Sequence, residues 1–449
     1  MLPRIDSLAN DLAAGRTSSV ELTRAALARA SDPDGEGARV FTRLDADRAL
    51  ALANAADALR AAGAVRSPLD GLPVSVKDLF DIAGQTTCAG SVLLRDAPAA
   101  GRNSTVVGRL LAAGAVIVGR TNMTEFAYSG LGLNPHHGTP RNPWDRESGR
   151  IPGGSSSGAA VSVTDGMAVA AVGTDTGGSV RIPAALCGLT GFKPTARRIP
   201  MDGVLPLSAA LDSVGPLAAS VRCCAILDAV LAGEPIPSNR STEVLDVRLA
   251  IPTDVVLDDL DDGVAAAFDA ACERLSTLGA RIHRVPVPEF AELPGINARG
   301  TLTAAEAWAW HRGHIETRSS LYDPRVVSRI QLGAKISAAD YIQLLSARQR
   351  WIAAVQARMG AFDAMLMPTV PHTAPRIDTL EQDEAAYFRV NGLMLRNPTF
   401  INFLDGCALS LPCHAPGQAP VGLMLAGPGG NDARILALGH AVETALGRC

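Results

Sequence analysis

The chain has almost no lysine. Of its 41 Lys and Arg residues, only Lys77, Lys193 and Lys335 are lysines. Aromatics are sparse too, at 4% against 47% apolar residues, so the core must be built mostly from Ala, Val, Leu and Ile. Positive charge is not in excess. The net charge of −4 leaves no basic footprint for nucleic acid, and no Lys/Arg cluster suits a membrane surface. Apolar runs such as 110–119 fall well short of the ~18 residues a membrane span needs. The first 17 residues carry Arg4 and Asp6 and no apolar stretch, so no signal peptide is expected. Eight cysteines show no CxxC spacing, and the adjacent pair Cys223-Cys224 is a poor disulfide candidate. Reduced thiols in a cytoplasm are expected. Gly130-Leu131-Gly132 meets Pro135 where a dinucleotide fingerprint needs its third glycine, and neither GxxxxGK[ST] nor HExxH occurs. His136-His137 sits on one loop with no nearby Cys/Asp cluster to complete a ligand set. No metal and no other cofactor is therefore expected.

What is present centres on two glycine-flanked serine loops. They are Gly153-Gly154-Ser155-Ser156-Ser157-Gly158 and Gly173-Thr174-Asp175-Thr176-Gly177-Gly178-Ser179. Glycine lets backbone N–H groups approach a reacting atom closely, and a hydroxyl there becomes a nucleophile once something takes its proton. Arginine cannot act as that acceptor, whereas a buried lysine can. Lys77 ends the apolar run Leu72-Pro73-Val74-Ser75-Val76. Burial disfavours an ammonium, and to work as a base near neutrality the amine must fall from ~10.4 toward ~7–8. A neutral Lys77 would draw a proton through Ser155 from Ser179, and Ser179 would attack a carbonyl. Consecutive N–H groups along Asp175-Thr176-Gly177-Gly178 would hold the oxyanion, each donor being worth ~10²–10³ in rate.

Gly154-Ser155-Ser156-Ser157-Gly158 also matches G-x-S-x-G, which would make Ser156 the nucleophile of a Ser-His-Asp triad. That elbow needs a strand directly before it. Here 146–152 is charged and loop-like, and the natural histidine, His440, lies inside a helical pattern.

Along the chain, residues 5–62 read as helices, with Ser18 or Ser19 capping 20–30. From 69 onward short Val/Ile runs alternate with helical patterns, which argues an α/β fold. Strands are expected at 73–76, 115–118, 247–251, 280–287, 363–370 and 420–426. Helices are expected at 105–112, 263–278, within 300–360 and at 432–446. Glu234–Arg240 reads as a surface connection. With no repeat and no low-complexity linker, one domain over 1–449 is expected: N-terminal helices to 65, a catalytic core over 66–235, and further α/β and helical structure over 236–449.

These residues resemble the amidase signature family of Ser-Ser-Lys hydrolases. The match runs through Gly71–Asp78, Gly119–Phe126, Gly153–Gly158, Gly173–Ala184 and Cys187–Thr195. The resemblance implies a large, twisted, mixed but mostly parallel sheet covered on both faces by helices. It implies Lys77 as base, Ser155 as bridging serine, often on a cis peptide, and Ser179 as acylated nucleophile. Thr176, Gly177 and Gly178 would supply the oxyanion N–H groups. Ser157, Ala159 and Ala196-Arg197 depart from the usual family loops, away from the three catalytic positions. Met123, Phe126, Tyr128, Ser156 and Asp175 are candidate substrate-side residues. The first three serve equally as core, and Asp175 is expected chiefly to orient the nucleophile loop. Arg181 is expected to hold that loop and Lys193 to be a structural cation.

The expected activity is cleavage of a small carboxamide to carboxylate and ammonia or amine through acyl-Ser179. The alternatives are the glutaminase subunit of a tRNA-dependent amidotransferase and a catalytically inactive binding protein. A homodimer is left open, and the sequence does not name the amide.

Overall fold

The computed structural model describes residues 2–238 and 243–447. Eleven strands form one sheet: β1 (Phe41–Leu44), β2 (Pro73–Lys77), β3 (Val116–Thr121), β4 (Ala170–Asp175), β5 (Thr190–Lys193), β6 (Ser213–Ala218), β7 (Arg248–Pro252), β8 (Arg281–Val285), β9 (Ala364–Pro368), β10 (Cys407–Pro412) and β11 (Gly422–Gly427). Their order across the sheet is β1-β3-β2-β4-β6-β5-β10-β11-β9-β7-β8.

The sheet is mixed, as expected, but its balance corrects the expectation of mostly parallel pairing. Six of the ten neighbouring pairs are antiparallel. Parallel pairing is confined to β3-β2-β4 and β9-β7-β8. The centre, β4-β6-β5-β10-β11-β9, is antiparallel throughout, and β10 returns to β11 through a short loop rather than a helical crossover. The segment 41–44, expected within helix, is the edge strand β1. The Ser18 expectation holds: its side chain accepts the Glu21 N–H in a capping box. Of the predicted connection Glu234–Arg240, residues 239 and 240 lie outside the described residues.

Both faces of the sheet are buried. On β11, Leu423 and Leu425 enter one apolar cluster while Met424 and Ala426 enter another. That is the two-residue alternation of a pleated strand. Helices Val221–Ala232 and Asp432–Ala445 supply Ile226, Leu227, Leu438 and Val442 to the first cluster. Helices Ala338–Met359 and Glu384–Phe403 supply Trp351, Val355, Phe400 and Ile401 to the second. Lys77 and Lys193 are fully buried, whereas Lys335 is exposed at the end of the turn Leu332–Lys335. No described helix is long and apolar enough to cross a membrane.

Candidate active site

The site lies at the ends of the parallel neighbours β2 and β4. The register pairs Val76 with Val172, so Lys77 at the end of β2 comes level with the Gly173-Thr174 step of β4. Its amine sits 2.8 Å from Ser155 Oγ and 2.9 Å from Thr174 Oγ1. No carboxylate touches it within 4 Å among the described residues. Burial therefore governs, and it lowers the Lys77 pKa to about 7 against the weaker upward pull of Asp175 and Asp212.

Ser155 follows a cis Gly154–Ser155 peptide, and helix Ser157–Thr164 begins two residues later. The two serine loops meet where the Ser156 N–H donates to Ser179 O at 3.2 Å. Gly173 must be glycine here, because a Cβ would lie 2.5 Å from Ser156 Oγ.

Asp175 holds the Ser179 loop, as expected. It lies under the loop, fully buried. Its carboxylate accepts N–H bonds from Gly178 at 2.8 Å and Val180 at 3.2 Å, and from Arg181 Nε at 3.0 Å and Nη2 at 2.9 Å. Burial alone would raise the Asp175 pKa, but the Arg181 charge and hydrogen bonds overcome it and hold the carboxyl well below its ordinary value. Arg181 is the expected loop anchor. Lys193 donates to the carbonyls of Pro194 and Gly406 in the same buried layer, and burial lowers its pKa to about 8.

A cavity of about 180 Å³ opens onto Ser179, with Thr176, Gly177 and Tyr128 in its wall. The expected oxyanion set is corrected at one position. The Gly178 N–H is already committed to Asp175, whereas those of Thr176, Gly177 and Ser179 donate to no other described residue. The available run is thus 176, 177 and 179. Among the substrate-side candidates, Tyr128 borders the cavity and Met123 and Phe126 do not. Phe126 is core, 4.4 Å from the His311 ring and 5.4 Å from Tyr322. Met123 is fully buried in the same cluster. Ser156 and Asp175 lie behind the loop rather than in the cavity wall, and His440 lies in the C-terminal helix, outside that wall.

Sequence reasoning missed Thr174, the second partner of Lys77. It also missed Asp212, which accepts the Thr176 hydroxyl at 2.5 Å, and Arg329 in the cavity wall. Thr174 carried a local signal, since it lies inside the Gly173–Ser179 loop segment already singled out. Asp212 and Arg329 carried none, because only tertiary packing brings them near.

The Amidase family profile matches residues 21–436. Among curated proteins, the chain is 38% identical to a 2-amino-5-chloromuconic acid deaminase of Comamonas testosteroni, covering 90% of this chain and 88% of that one. It is 34% identical to one subunit of the glutamyl-tRNA(Gln) amidotransferase of Chloroflexus aggregans, covering 96% and 94%. Among solved structures, an amidase crystal structure superposes with a TM-score of 0.88 at 33% identity, covering 98% of this chain and 99% of that one. By profile, sequence and fold alike, the chain belongs to the amidase family.

Proposed function

We propose that this amidase hydrolyses the C–N bond of a small carboxamide through an acyl-Ser179 intermediate. Neutral Lys77 accepts the Ser155 proton as Ser155 accepts that of Ser179, and Ser179 Oγ forms a bond to the carbonyl carbon. The carbonyl oxygen, now an anion, is held by the free N–H groups of the 176–179 loop. The relay then delivers its proton to the nitrogen. The C–N bond breaks, and ammonia or amine leaves. Water attacks the ester, gives a proton to the same relay, and releases the carboxylate as Ser179 is reprotonated.

The observation that carries this reading is a fully buried amine 2.8 Å from Ser155 Oγ with no adjoining carboxylate to keep it charged. Cys88, Cys187, Cys223, Cys224, Cys272 and Cys407 are free thiols, which supports a reducing, cytoplasmic setting.

The test is ammonia release across an amide panel, together with labelling by a serine-directed phosphonate. Wild type should turn over, and its adduct should map to Ser179. Ser179→Ala should lose both while keeping its circular dichroism and thermal midpoint. Labelling elsewhere, or ammonia release from Ser179→Ala, defeats the proposal.

A second reading, a glutaminase subunit, is supported by the Chloroflexus aggregans relative. It requires a partner chain to copurify with the protein or to raise its glutaminase rate.

A further inference from the structure

We propose that the Ser179 cavity selects amides that carry a carboxylate, with Arg329 as the residue that holds it. The inference rests on the hydrolase reading above and adds the substrate class. Among the described residues, Arg329 is the one cation in the cavity wall, and no Asp or Glu lines that wall. Its guanidinium lies over the Tyr128 ring, 4.4 Å from the centroid, and Nη1 donates to the Tyr128 carbonyl. Among the described residues it forms no ion pair, whereas Arg120, Arg181 and Arg198 each face a carboxylate. The Nε and Nη2 N–H groups donate to no other described residue. They leave a planar fork suited to a carboxylate.

The guanidinium is also held in place. Arg329 is on helix Pro324–Gln331, whose N-cap Asp323 accepts the Arg325 N–H at 2.9 Å. Fully buried Glu125 accepts the Asp323 N–H at 2.7 Å, together with the Ser91 hydroxyl at 2.6 Å. Three residues after Glu125, Tyr128 packs on the guanidinium. The cation is thus fixed from two directions before any ligand arrives.

The remaining wall narrows the class. Leu207, Leu302, Leu395 and Phe403 line the same cavity and offer hydrocarbon contact to the body of a ligand. An α-ammonium would find no carboxylate there, and leaving a charge unpaired in such a site is costly. The fitting ligand is a monoamide of a short dicarboxylic acid rather than an amino-acid amide such as glutamine.

The experiment compares kcat/KM for succinamate and glutaramate with 4-methylpentanamide and 5-methylhexanamide, in which an isopropyl group replaces the carboxylate. Glutamine is run alongside. Wild type should favour the acids by about 30-fold or more, the scale of a charged, paired hydrogen bond, and should take glutaramate over glutamine. Arg329→Gln should collapse the acid-to-neutral ratio, mainly through KM, and Arg329→Lys should keep part of it. Equal use of acids and neutral amides by wild type, or a ratio unchanged in Arg329→Gln, overturns the inference while leaving the hydrolase reading intact. Calorimetry with glutarate and Ser179→Ala protein tests the pocket without turnover. Binding is expected, and its loss is expected when Arg329→Gln is added. If no amide is cleaved, the hydrolase reading fails and this arm still decides the inference. No binding to folded Ser179→Ala protein overturns it.

Discussion

Lys77→Arg tests whether a removable proton, rather than a positive charge, is what the site requires. Burial moves the Lys77 pKa from 10.5 to about 7, a difference of about 5 kcal/mol at ~1.36 kcal/mol per unit. The shift is downward, so the proton is lost as pH rises through 7. With the amine as base, kcat/KM should climb about tenfold per unit from pH 5 and level off above ~7.5. Half the free enzyme is competent at pH 7 and about a tenth at pH 6, given the value of about 7. Arginine keeps its proton to above ~12, so its neutral fraction at pH 7 is below ~10⁻⁵ and turnover should fall by ~10⁴ or more. The assay is ammonia release between pH 5 and 9. Lys77→Met serves as a second variant lacking the base, and circular dichroism confirms folding of both. A folded Lys77→Arg enzyme retaining more than about 1% of wild-type kcat/KM at pH 7 would refute the assignment. So would a flat wild-type profile from pH 5.5 to 8.5.

Asp175→Asn removes the anion opposite fully buried Arg181, and leaving that guanidinium unpaired should cost ~3–5 kcal/mol. A fall in the urea midpoint measures it; an unchanged midpoint would contradict the anchoring role. Gly178→Ala places a Cβ 2.6 Å from Pro398 Cβ and 2.7 Å from Ile182 Cδ1, at a φ of +120°. The Ser179 loop must shift, so under the proposed mechanism kcat should drop by ~10²-fold with a smaller change in KM, the effect of displacing the proposed oxyanion donors.

The proposed catalytic residues stood out in the sequence because each sits in a short segment with a local signature. Lys77 closes an apolar run, and the serines sit between glycines that the backbone needs. Sheet direction was not readable in the same way. β2, β4, β6 and β11 are buried on both faces, so their side chains do not distinguish parallel from antiparallel neighbours. The 159–172 stretch shows the same limit: its apolar character hides a helix ending at Thr164 and a strand starting at Ala170. Phe126 and Tyr128 are two residues apart and both buried in one cluster, yet only Tyr128 also borders the cavity. An irregular turn with φ of +49° at Phe126 and +60° at Ala127 sends them apart, and no periodic pattern anticipates it. Arg329 is 150 positions from Ser179 and is one arginine among many. Only the docking of its helix on Tyr128 marks it out.

The scarcity of lysine has a practical side. Amine-directed reagents reach neither Lys77 nor Lys193, and the third lysine, Lys335, stands in solvent six residues beyond Arg329. A fluorophore coupled to that side chain would report on the turn Leu332–Lys335, which directly follows the helix that carries Arg329.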